Sequence, residues 1–370
     1  MKTLYGIAIL AGTIVGAGLF SLPYITSVVG LGVMTGYMAV IGGVAILIHY
    51  FLGEVSLKTP DFLRLPGFAK YHLGKNAQKI AYVSGITGMI GAILAYLILG
   101  GEFLTALLSP YFGGGTIHYT TIYFLIASAF IFFGIKAISK IEFWGIVIFI
   151  VLLFLTFFRG FEEITLSKLL FMREGEFDLF LPYGALLFAL WGAALIPEIE
   201  ETLALGKERK KLLKIIPLGV IISLFISFFF IIIVLGITGE NTTREALVGL
   251  DSYLGNGVAS LMLLFGVLVI FTSLIAIGLT VKKILWYDLK IPEKSSFAIA
   301  CVTPFLLYLI GVKDFIMVIG IVGATMVAVD AILILFMYEK IKSKKVRLIT
   351  YPLIIIFLLG IIYEIIYFLK

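Results

Sequence analysis

Three glycines stand within seven residues of an uncharged, apolar segment near the start of the chain. They are Gly12, Gly16 and Gly18, and Pro23 follows them. Glycine and proline interrupt helices, so the pattern predicts a helix that unwinds in apolar surroundings. Unwound backbone exposes N–H groups that can hold a carboxylate and carbonyl groups that can hold an ammonium group or a small cation. A zwitterionic α-amino acid has this pair of charges, and no charged side chain is needed to bind it.

The elements that position this segment are membrane spans. The chain is 61% hydrophobic and only 14% charged, whereas soluble proteins are about 25% charged. Residues 3–53 contain no charged side chain, which is enough for two crossings of about 20 residues each, with a turn at Val29–Gly32. Further apolar runs follow at 80–108, 119–135, 141–158, 180–203, 215–238, 257–281, 296–311, 315–338 and 349–369. The sequence therefore predicts an all-α integral membrane protein with eleven transmembrane helices, called spans 1–11 below.

The basic residues predict how these spans are oriented. With the N-terminus in the cytoplasm, 22 of the 28 Lys and Arg residues fall in inward segments and six in outward segments. An excess of Lys and Arg in cytoplasmic loops sets orientation in a membrane. We therefore expect a protein of the cell membrane with an inward N-terminus and an outward C-terminus. The net charge of +6 reflects this topology, and we expect no nucleic-acid partner.

The spans divide into two halves of nearly equal length, residues 3–159 and 180–338, within a single domain that ends with an extra helix at 349–369. An odd number of spans in each half gives the halves opposite orientations, as in the inverted repeats of many secondary transporters. Gly16 and Gly192 lie at matching positions, and Pro197 follows the second break as Pro23 follows the first. Close packing of membrane helices is an alternative reason for these glycines.

The residues also resemble a known family. The segment Gly12–Tyr24 resembles the first-helix signature of the amino acid/auxin permease and aromatic amino acid permease groups of the amino acid–polyamine–organocation superfamily. The segment from Phe188 to Gly192, followed by Ile196–Glu201, is similar to the sixth helix of that superfamily, and Tyr96–Glu102 to its third. The resemblance implies the LeuT-type fold, a 5+5 inverted repeat with helices 1 and 6 discontinuous, and coupled amino acid transport.

The resemblance also implies roles for individual residues. The amides of Gly16, Ala17 and Gly18 would hold the substrate carboxylate. The ammonium group would lie against carbonyls of both breaks, so that the predicted substrate site also contains Thr13, Ile14, Phe188, Ala189, Leu190, Trp191 and Gly192. Most relatives have an aromatic gate where this chain has Leu190 followed by Trp191.

A coupling ion is the remaining implication. In sodium-coupled members the ion lies between carbonyls of span 1 and a hydroxyl pair on span 8, which here would be Gly12, Val15, Val269, Thr272 and Ser273. Uncharged oxygen ligands suit a hard cation. The alternative is that Thr272 and Ser273 bond only their own helix backbone. The position at which some proton-coupled relatives carry a lysine is Phe149 here.

Acidic residues inside spans are candidates for gating or proton transfer, because burying an ionisable group in a membrane is costly. Asp330 is either a proton site or an interfacial partner of a cytoplasmic lysine. Glu102 has either a proton role or a structural role. Glu200 and Glu201 form either an inner-gate salt bridge or a solvated helix end.

Several functions are excluded or disfavoured. The chain has neither a His-Glu-x-x-His zinc motif nor a Gly-x-Ser-x-Gly nucleophile motif, so we do not expect an enzyme. We predict a secondary active transporter of neutral, apolar or aromatic amino acids that works by alternating access, as a sodium symporter and as a monomer in the lipid bilayer. No cofactor other than the sodium ion is expected. The alternatives are proton coupling, or a channel or amino-acid sensor on the same scaffold.

Overall fold

The computed structural model of the chain describes residues 2–60, 63–134, 138–175, 177–204, 208–254, 257–342 and 346–368. Helices account for most of these residues, and no strand occurs among them. The first part of the chain forms α1 (Lys2–Ile14), α2 (Leu22–Val29), α3 (Leu31–Lys58), α4 (Leu65–Leu73), α5 (Lys75–Phe112), α6 (Thr116–Phe133), α7 (Ile138–Gly160) and α8 (Leu166–Leu169). The second part forms α9 (Leu181–Ala189), α10 (Ile196–Ala204), α11 (Leu212–Thr238), α12 (Asp251–Leu254), α13 (Val258–Lys283), α14 (Glu293–Leu309), α15 (Phe315–Ile321), α16 (Ala328–Lys342) and α17 (Arg347–Phe368).

The all-α membrane architecture is confirmed. Within the described ranges, eight helices are long and apolar enough to cross a membrane, and the bent pair Gly6–Ile14 and Ala17–Val29 would make a ninth. Helix α7, with 23 residues, and α14, with 17, occupy the predicted spans 5 and 9. The number of eleven crossings remains a prediction, because α14 is shorter than the roughly 20 residues that a straight crossing needs.

Both predicted broken helices are broken. Span 1 is divided into α1 and α2, which meet at an angle of 44°, and span 6 is divided into α9 and α10. Pro23 is the second residue of α2 and Pro197 the second residue of α10. Proline lacks an N–H and fits the first turn of a helix, where that N–H would have no helical partner. Each proline therefore lies where a new half-helix begins after its break.

The cytoplasmic loop predicted between spans 2 and 3 is largely helical. The turn predicted at Val29–Gly32 is confirmed, because Gly30, with φ +85°, separates α2 from α3. Helix α3 continues to Lys58, and α4 follows it within this loop. Helix α5 is 38 residues long, about 57 Å at 1.5 Å per residue, so it extends well beyond the hydrocarbon core.

The predicted orientation depends on segments that the structure describes only in part. The inward segments 136–140, 204–214 and 339–348 contain residues outside the described ranges, and the chain ends Met1 and Lys370 also lie outside them. The inward N-terminus and outward C-terminus therefore remain predictions, as does the division into halves at 3–159 and 180–338.

Candidate functional site

The first break separates α1 from α2. Helix α1 ends at Ile14, and Gly16 has an extended backbone with φ −109° and ψ −155°. The N–H of Gly16 donates to the carbonyl of Ile14 at 2.8 Å, and a 3-10 helix, Ala17–Ser21, then leads into α2. A non-helical linker of Val15 and Gly16 therefore lies at the position that the glycine pattern predicted.

The 3-10 helix begins with N–H groups that it cannot satisfy itself. Its first hydrogen bond runs from the N–H of Leu19 to the carbonyl of Gly16, at 3.1 Å. The N–H groups of Ala17 and Gly18 precede this bond, as the first N–H groups of any helix do. Neither donates to a backbone carbonyl within the part of the chain that the structure describes. Both amides therefore lack a backbone acceptor among the described residues, as the amides of a carboxylate-binding site must.

The second break supplies carbonyl groups. Helix α9 ends at Ala189, and a short 3-10 turn, Ala193–Leu195, leads into α10. In a continuous α-helix the carbonyls of residues 189–191 would accept hydrogen bonds from the N–H groups of this turn. In this turn the N–H of Leu195 instead donates to the carbonyl of Gly192, at 3.1 Å. The carbonyl oxygens ahead of Gly192 are therefore released from their helical partners.

The two breaks contact each other through glycines. A Cβ atom on Gly18 would lie 2.7 Å from Cα of Ala189, and one on Gly192 would lie 2.8 Å from Cγ1 of Ile14. Real Cβ atoms do not approach other atoms this closely, so both positions require glycine for packing. The amides of the first break and the carbonyls of the second therefore belong to one small region.

Gly16 differs from these packing glycines because an added Cβ atom would meet one tight contact and no overlap below 3 Å. A Cβ atom there would lie 3.3 Å from the Thr13 carbonyl and 3.9 Å from the Tyr96 hydroxyl of α5. Thr13 is exposed, whereas Phe188 and Trp191 are half-buried. The remaining predicted substrate residues, Ile14, Ala17, Ala189 and Leu190, are buried. The structure therefore brings the predicted substrate residues together, and Tyr96 adds a hydroxyl beside Gly16.

An aromatic cluster covers the other end of this region. The ring of Phe20 lies 5.2 Å from Phe103 of α5, 6.3 Å from Phe149 of α7 and 5.7 Å from Phe230 of α11, in each case edge to face. Phe149 in turn stacks on Phe265 of α13, at 5.9 Å. Such ring pairs add to the stability that burial provides. The cluster joins five helical segments around the 3-10 helix that follows the first break.

The loop between α11 and α13 adds a polar layer above these rings. Arg244 of this loop forms an ion pair with Asp314, which precedes α15, and its guanidinium lies 5.4 Å from the ring centre of Tyr24 on α2. Burial alone would lower the pKa of Arg244, but the Asp314 carboxylate holds that pKa above its usual value. Arg173 lies 4.8 Å from the same ring and donates to the carbonyls of Glu240 and Thr242 in this loop. The loop thereby links α2 to the start of α15.

The predicted sodium ligands lie on two helices that have little contact with each other. Helix α1, which carries Gly12 and ends one residue before Val15, packs chiefly against α11 and α7 within the described residues. On α13, the Thr272 hydroxyl donates to the Val269 carbonyl at 2.9 Å, the bond that the alternative interpretation expects. The oxygen lone pairs of Thr272 remain available to a cation. Ser273 is half-buried.

Glu102 faces a second carboxyl group. Its Oε2 atom is buried and has no hydrogen-bond donor in the described part of the chain. The carboxyl group of Glu245, next to Arg244, lies within hydrogen-bonding reach, and Arg244 and Asp314 also act on Glu102 electrostatically. Two carboxylates both accept hydrogen bonds, so they can bond each other only if a proton is present.

Asp330 also has a partner that the sequence did not indicate. It is buried in α16 and accepts a hydrogen bond from Ser84 Oγ of α5, at 2.6 Å. The partner that the structure provides is therefore a hydroxyl group on another span, and not a lysine at the cytoplasmic interface.

The two neighbouring glutamates of α10 have different surroundings. Glu200 is 1% exposed and accepts hydrogen bonds from Ser56 of α3 and from Arg209, with which it forms an ion pair. Glu201 is exposed and lies 3.7 Å from Arg64. The salt-bridge prediction therefore fits Glu200, whereas Glu201 has the solvated position of a helix end.

One functional residue was missed by sequence reasoning. His49 of α3 is fully buried, and its Nε2 atom accepts a hydrogen bond from the N–H of Gly192 at 2.8 Å. Its ring lies 5.3 Å from the ring of Trp191. A single histidine in an apolar run carries no motif, and its partner is 143 positions away, so only the fold reveals this contact.

Comparisons with known proteins agree with this arrangement. The sequence profile of the tryptophan/tyrosine permease family matches residues 1–366. No curated protein matches the chain.

Three solved structures share the fold. MhsT in complex with L-phenylalanine has a TM-score of 0.61 at 16% identity, covering 97% of this chain and 98% of that one. Mhp1, a nucleobase-cation-symport-1 family transporter with bromovinylhydantoin bound, has a TM-score of 0.65 at 12% identity, covering 90% and 77%. The manganese transporter of Eremococcus coleocola, in complex with an aromatic bis-isothiourea substituted compound, has a TM-score of 0.66 at 14% identity, covering 100% and 88%. The LeuT-type fold is thereby confirmed, and the chain is a member of a transporter class and not an enzyme.

Proposed function

The chain belongs to the tryptophan/tyrosine permease family, and from this premise we propose that it is a secondary active transporter of neutral amino acids with apolar or aromatic side chains. The observation that carries the proposal is the contact between the two breaks. The amides of Ala17 and Gly18 would bind the carboxylate, and the carbonyls of residues 189–191 would bind the ammonium group. Both ends of the amino acid would be held by backbone, as fits a region without a charged side chain.

The surroundings of the breaks favour an apolar or aromatic side chain. Phe188 and Trp191 are half-buried beside the second break, and the Phe20 cluster covers the first. An aromatic substrate would pack against such rings without leaving a charge unpaired. The family description and the phenylalanine bound to MhsT support the same class of substrate.

A panel of amino acids tests the substrate class. Purified protein would be titrated with tryptophan, tyrosine, phenylalanine, leucine, glutamate and lysine, with binding followed by thermal stabilisation. We expect the three aromatic amino acids to stabilise the protein most and the two charged ones not at all. Equal stabilisation by glutamate or lysine would contradict an apolar pocket.

Alternating access is the proposed mechanism. Every residue from Ala17 to Val29 is buried, whereas Thr13 and Ala194, on the other side of the breaks, are exposed. With the orientation favoured by the Lys and Arg distribution, this asymmetry corresponds to a state closed to the outside and accessible from the cytoplasm of a cell-membrane protein. The Phe20 cluster and the pair Arg244–Asp314 would open when the transporter faces outward.

Sodium symport is the proposed coupling. The ion would be bound by the carbonyls of Gly12, Val15 and Val269 and by the hydroxyls of Thr272 and Ser273. The limited contact between α1 and α13 fits the inward-accessible state, in which the ion would already have left.

Proton coupling is a second candidate, favoured by one observation. The carboxyl groups of Glu102 and Glu245 act on each other electrostatically, and a proton on one of them would remove the repulsion and allow a hydrogen bond between them. This pair links α5 to the loop that carries Arg244. Loss of the proton would therefore weaken the contacts that close the transporter to the outside, which are the Phe20 cluster and the pair Arg244–Asp314. Asp330, bonded to Ser84, is a second buried carboxyl group that could take part.

Two variants distinguish the coupling ions. Thr272→Ala removes one oxygen ligand of the cation, a loss of about 1.5–3 kcal/mol for a hydrogen-bond-like contact to a charge, or roughly ten- to over a hundredfold in sodium affinity. Linkage requires the sodium dependence of substrate affinity to shift with it. Glu102→Gln leaves the sodium ligands intact and serves as the comparison.

The measurement is tryptophan uptake into proteoliposomes, with a sodium gradient at fixed pH or with a pH gradient and no sodium. Sodium coupling predicts that Thr272→Ala needs far more sodium and that Glu102→Gln does not. Uptake that does not depend on sodium, depends on the pH gradient and is lost in Glu102→Gln would contradict sodium symport and support proton symport.

A further inference from the structure

His49 has a fixed hydrogen-bonding role in the fold. Its Nδ1 atom lies 2.6 Å from the carbonyl oxygen of Ala45, one turn earlier in α3, and its Nε2 atom lies 2.8 Å from the backbone N of Gly192. A carbonyl can only accept and a backbone N–H can only donate. The imidazole must therefore be neutral, with its proton on Nδ1 and its Nε2 lone pair directed at Gly192.

This contact replaces a hydrogen bond of the helix. In a continuous α-helix the N–H of Gly192 would donate to the carbonyl of Phe188, four residues earlier. Here the N–H of Trp191 donates to that carbonyl, at 3.3 Å, and Gly192 turns away to His49. A buried N–H without a partner is strongly unfavourable, so the break needs an acceptor from another helix.

We propose that His49 is a positioning residue that keeps the second break open and thereby leaves the carbonyls of residues 189–191 free for the substrate. If Gly192 returned to a helical bond, the following N–H groups would be drawn onto these carbonyls as in any α-helix. The effect of His49 on amino acid binding rests on the proposed function. Because the N–H of Gly192 already donates to His49, it is not one of the groups that could bind the substrate carboxylate.

Two substitutions separate this role from packing. His49→Phe keeps the volume and the aromatic contact with Trp191 but has no acceptor. His49→Gln loses the aromatic ring but can place its amide oxygen near the position of Nε2. Leaving a buried donor unpaired corresponds to roughly a five- to hundredfold loss in affinity. We expect His49→Phe to lose tryptophan affinity by this factor. We expect the tryptophan affinity of His49→Gln to stay within about threefold of that of the unmodified protein. A role in packing alone predicts the opposite order.

A second measurement does not depend on any substrate. Hydrogen–deuterium exchange of a peptide covering residues 188–195 reports directly on the break in the substrate-free protein. We expect slower exchange in His49→Phe, in which the break would close into helical hydrogen bonds, than in the unmodified protein and in His49→Gln. If the unmodified protein bound no amino acid, the proposed function would fail while this readout would still test His49. Exchange in His49→Phe as fast as in the unmodified protein, or rates in His49→Gln equal to those in His49→Phe, would overturn the proposal.

Discussion

Replacing Gly16 by valine is expected to abolish amino acid binding in a protein that still folds. The backbone of Gly16 is extended, a conformation that β-branched residues favour, and the new Cβ atom would lie 3.3 Å from the Thr13 carbonyl, which must shift by a few tenths of an ångström to accept it. The methyl groups would stand in front of the amides of Ala17 and Gly18. Loss of two charge-assisted hydrogen bonds costs about 3–6 kcal/mol, or more than a hundredfold in affinity.

The control for this experiment is Gly36→Val. Gly36 lies on the exposed face of α3, where an added Cβ atom would have nothing within 4 Å. Tryptophan affinity would be measured by equilibrium binding, and folding by thermal unfolding. Gly18→Val is unsuitable, because its Cβ atom would overlap the backbone of Ala189 and disturb the fold itself. Unchanged affinity in a folded Gly16→Val protein would remove the first break from the binding site.

Of the variants described, Arg209→Ala is expected to cause the largest loss in the free energy of unfolding. Arg209 forms an ion pair with Glu200, which is 1% exposed, and also donates to the carbonyls of Ser56 at 3.3 Å and Thr59 at 3.4 Å. Without Arg209 the buried carboxylate has no opposing charge, which costs about 3–5 kcal/mol. The inner half of the broken span would then lose its attachment to the end of α3.

Arg64→Ala provides the matched comparison. Arg64 also pairs with α10, 2.6 Å from Glu198, but both side chains are about half exposed, and such pairs contribute only about 0–1 kcal/mol. Chemical unfolding in detergent would compare the two variants. If Arg209→Ala were no less stable than Arg64→Ala, the buried ion pair would not hold α10 in place.

The breaks could be predicted from sequence because their cause is local. Pro23 and Pro197 cannot continue a helix that precedes them, and they lie in the first turn of the half-helices that follow. The turn at Gly30 is local for the same reason. These features depend on the conformational limits of single residues, which the sequence states directly.

The partners of the buried polar groups could not be predicted, because they depend on how distant helices are rotated. Glu200 and Glu201 are adjacent, yet the 100° between successive residues of a helix turns one toward Ser56 and the other toward solvent. His49 and Ser84 likewise meet partners more than a hundred positions away. The full length of α5, which is greater than a membrane crossing requires, could not be predicted either. Charged residues at the start of this helix interrupt the apolar run by which the span was identified.

The central claim is that the chain moves amino acids across a membrane by means of the two breaks. The most direct test is uptake of radiolabelled tryptophan into proteoliposomes that contain the purified protein and carry an imposed ion gradient. The account predicts saturable accumulation above the outside concentration, competition by phenylalanine and tyrosine, and no uptake by Gly16→Val protein. Binding of tryptophan without any flux would indicate a sensor, and flux that does not saturate would indicate a channel; either result would contradict the account.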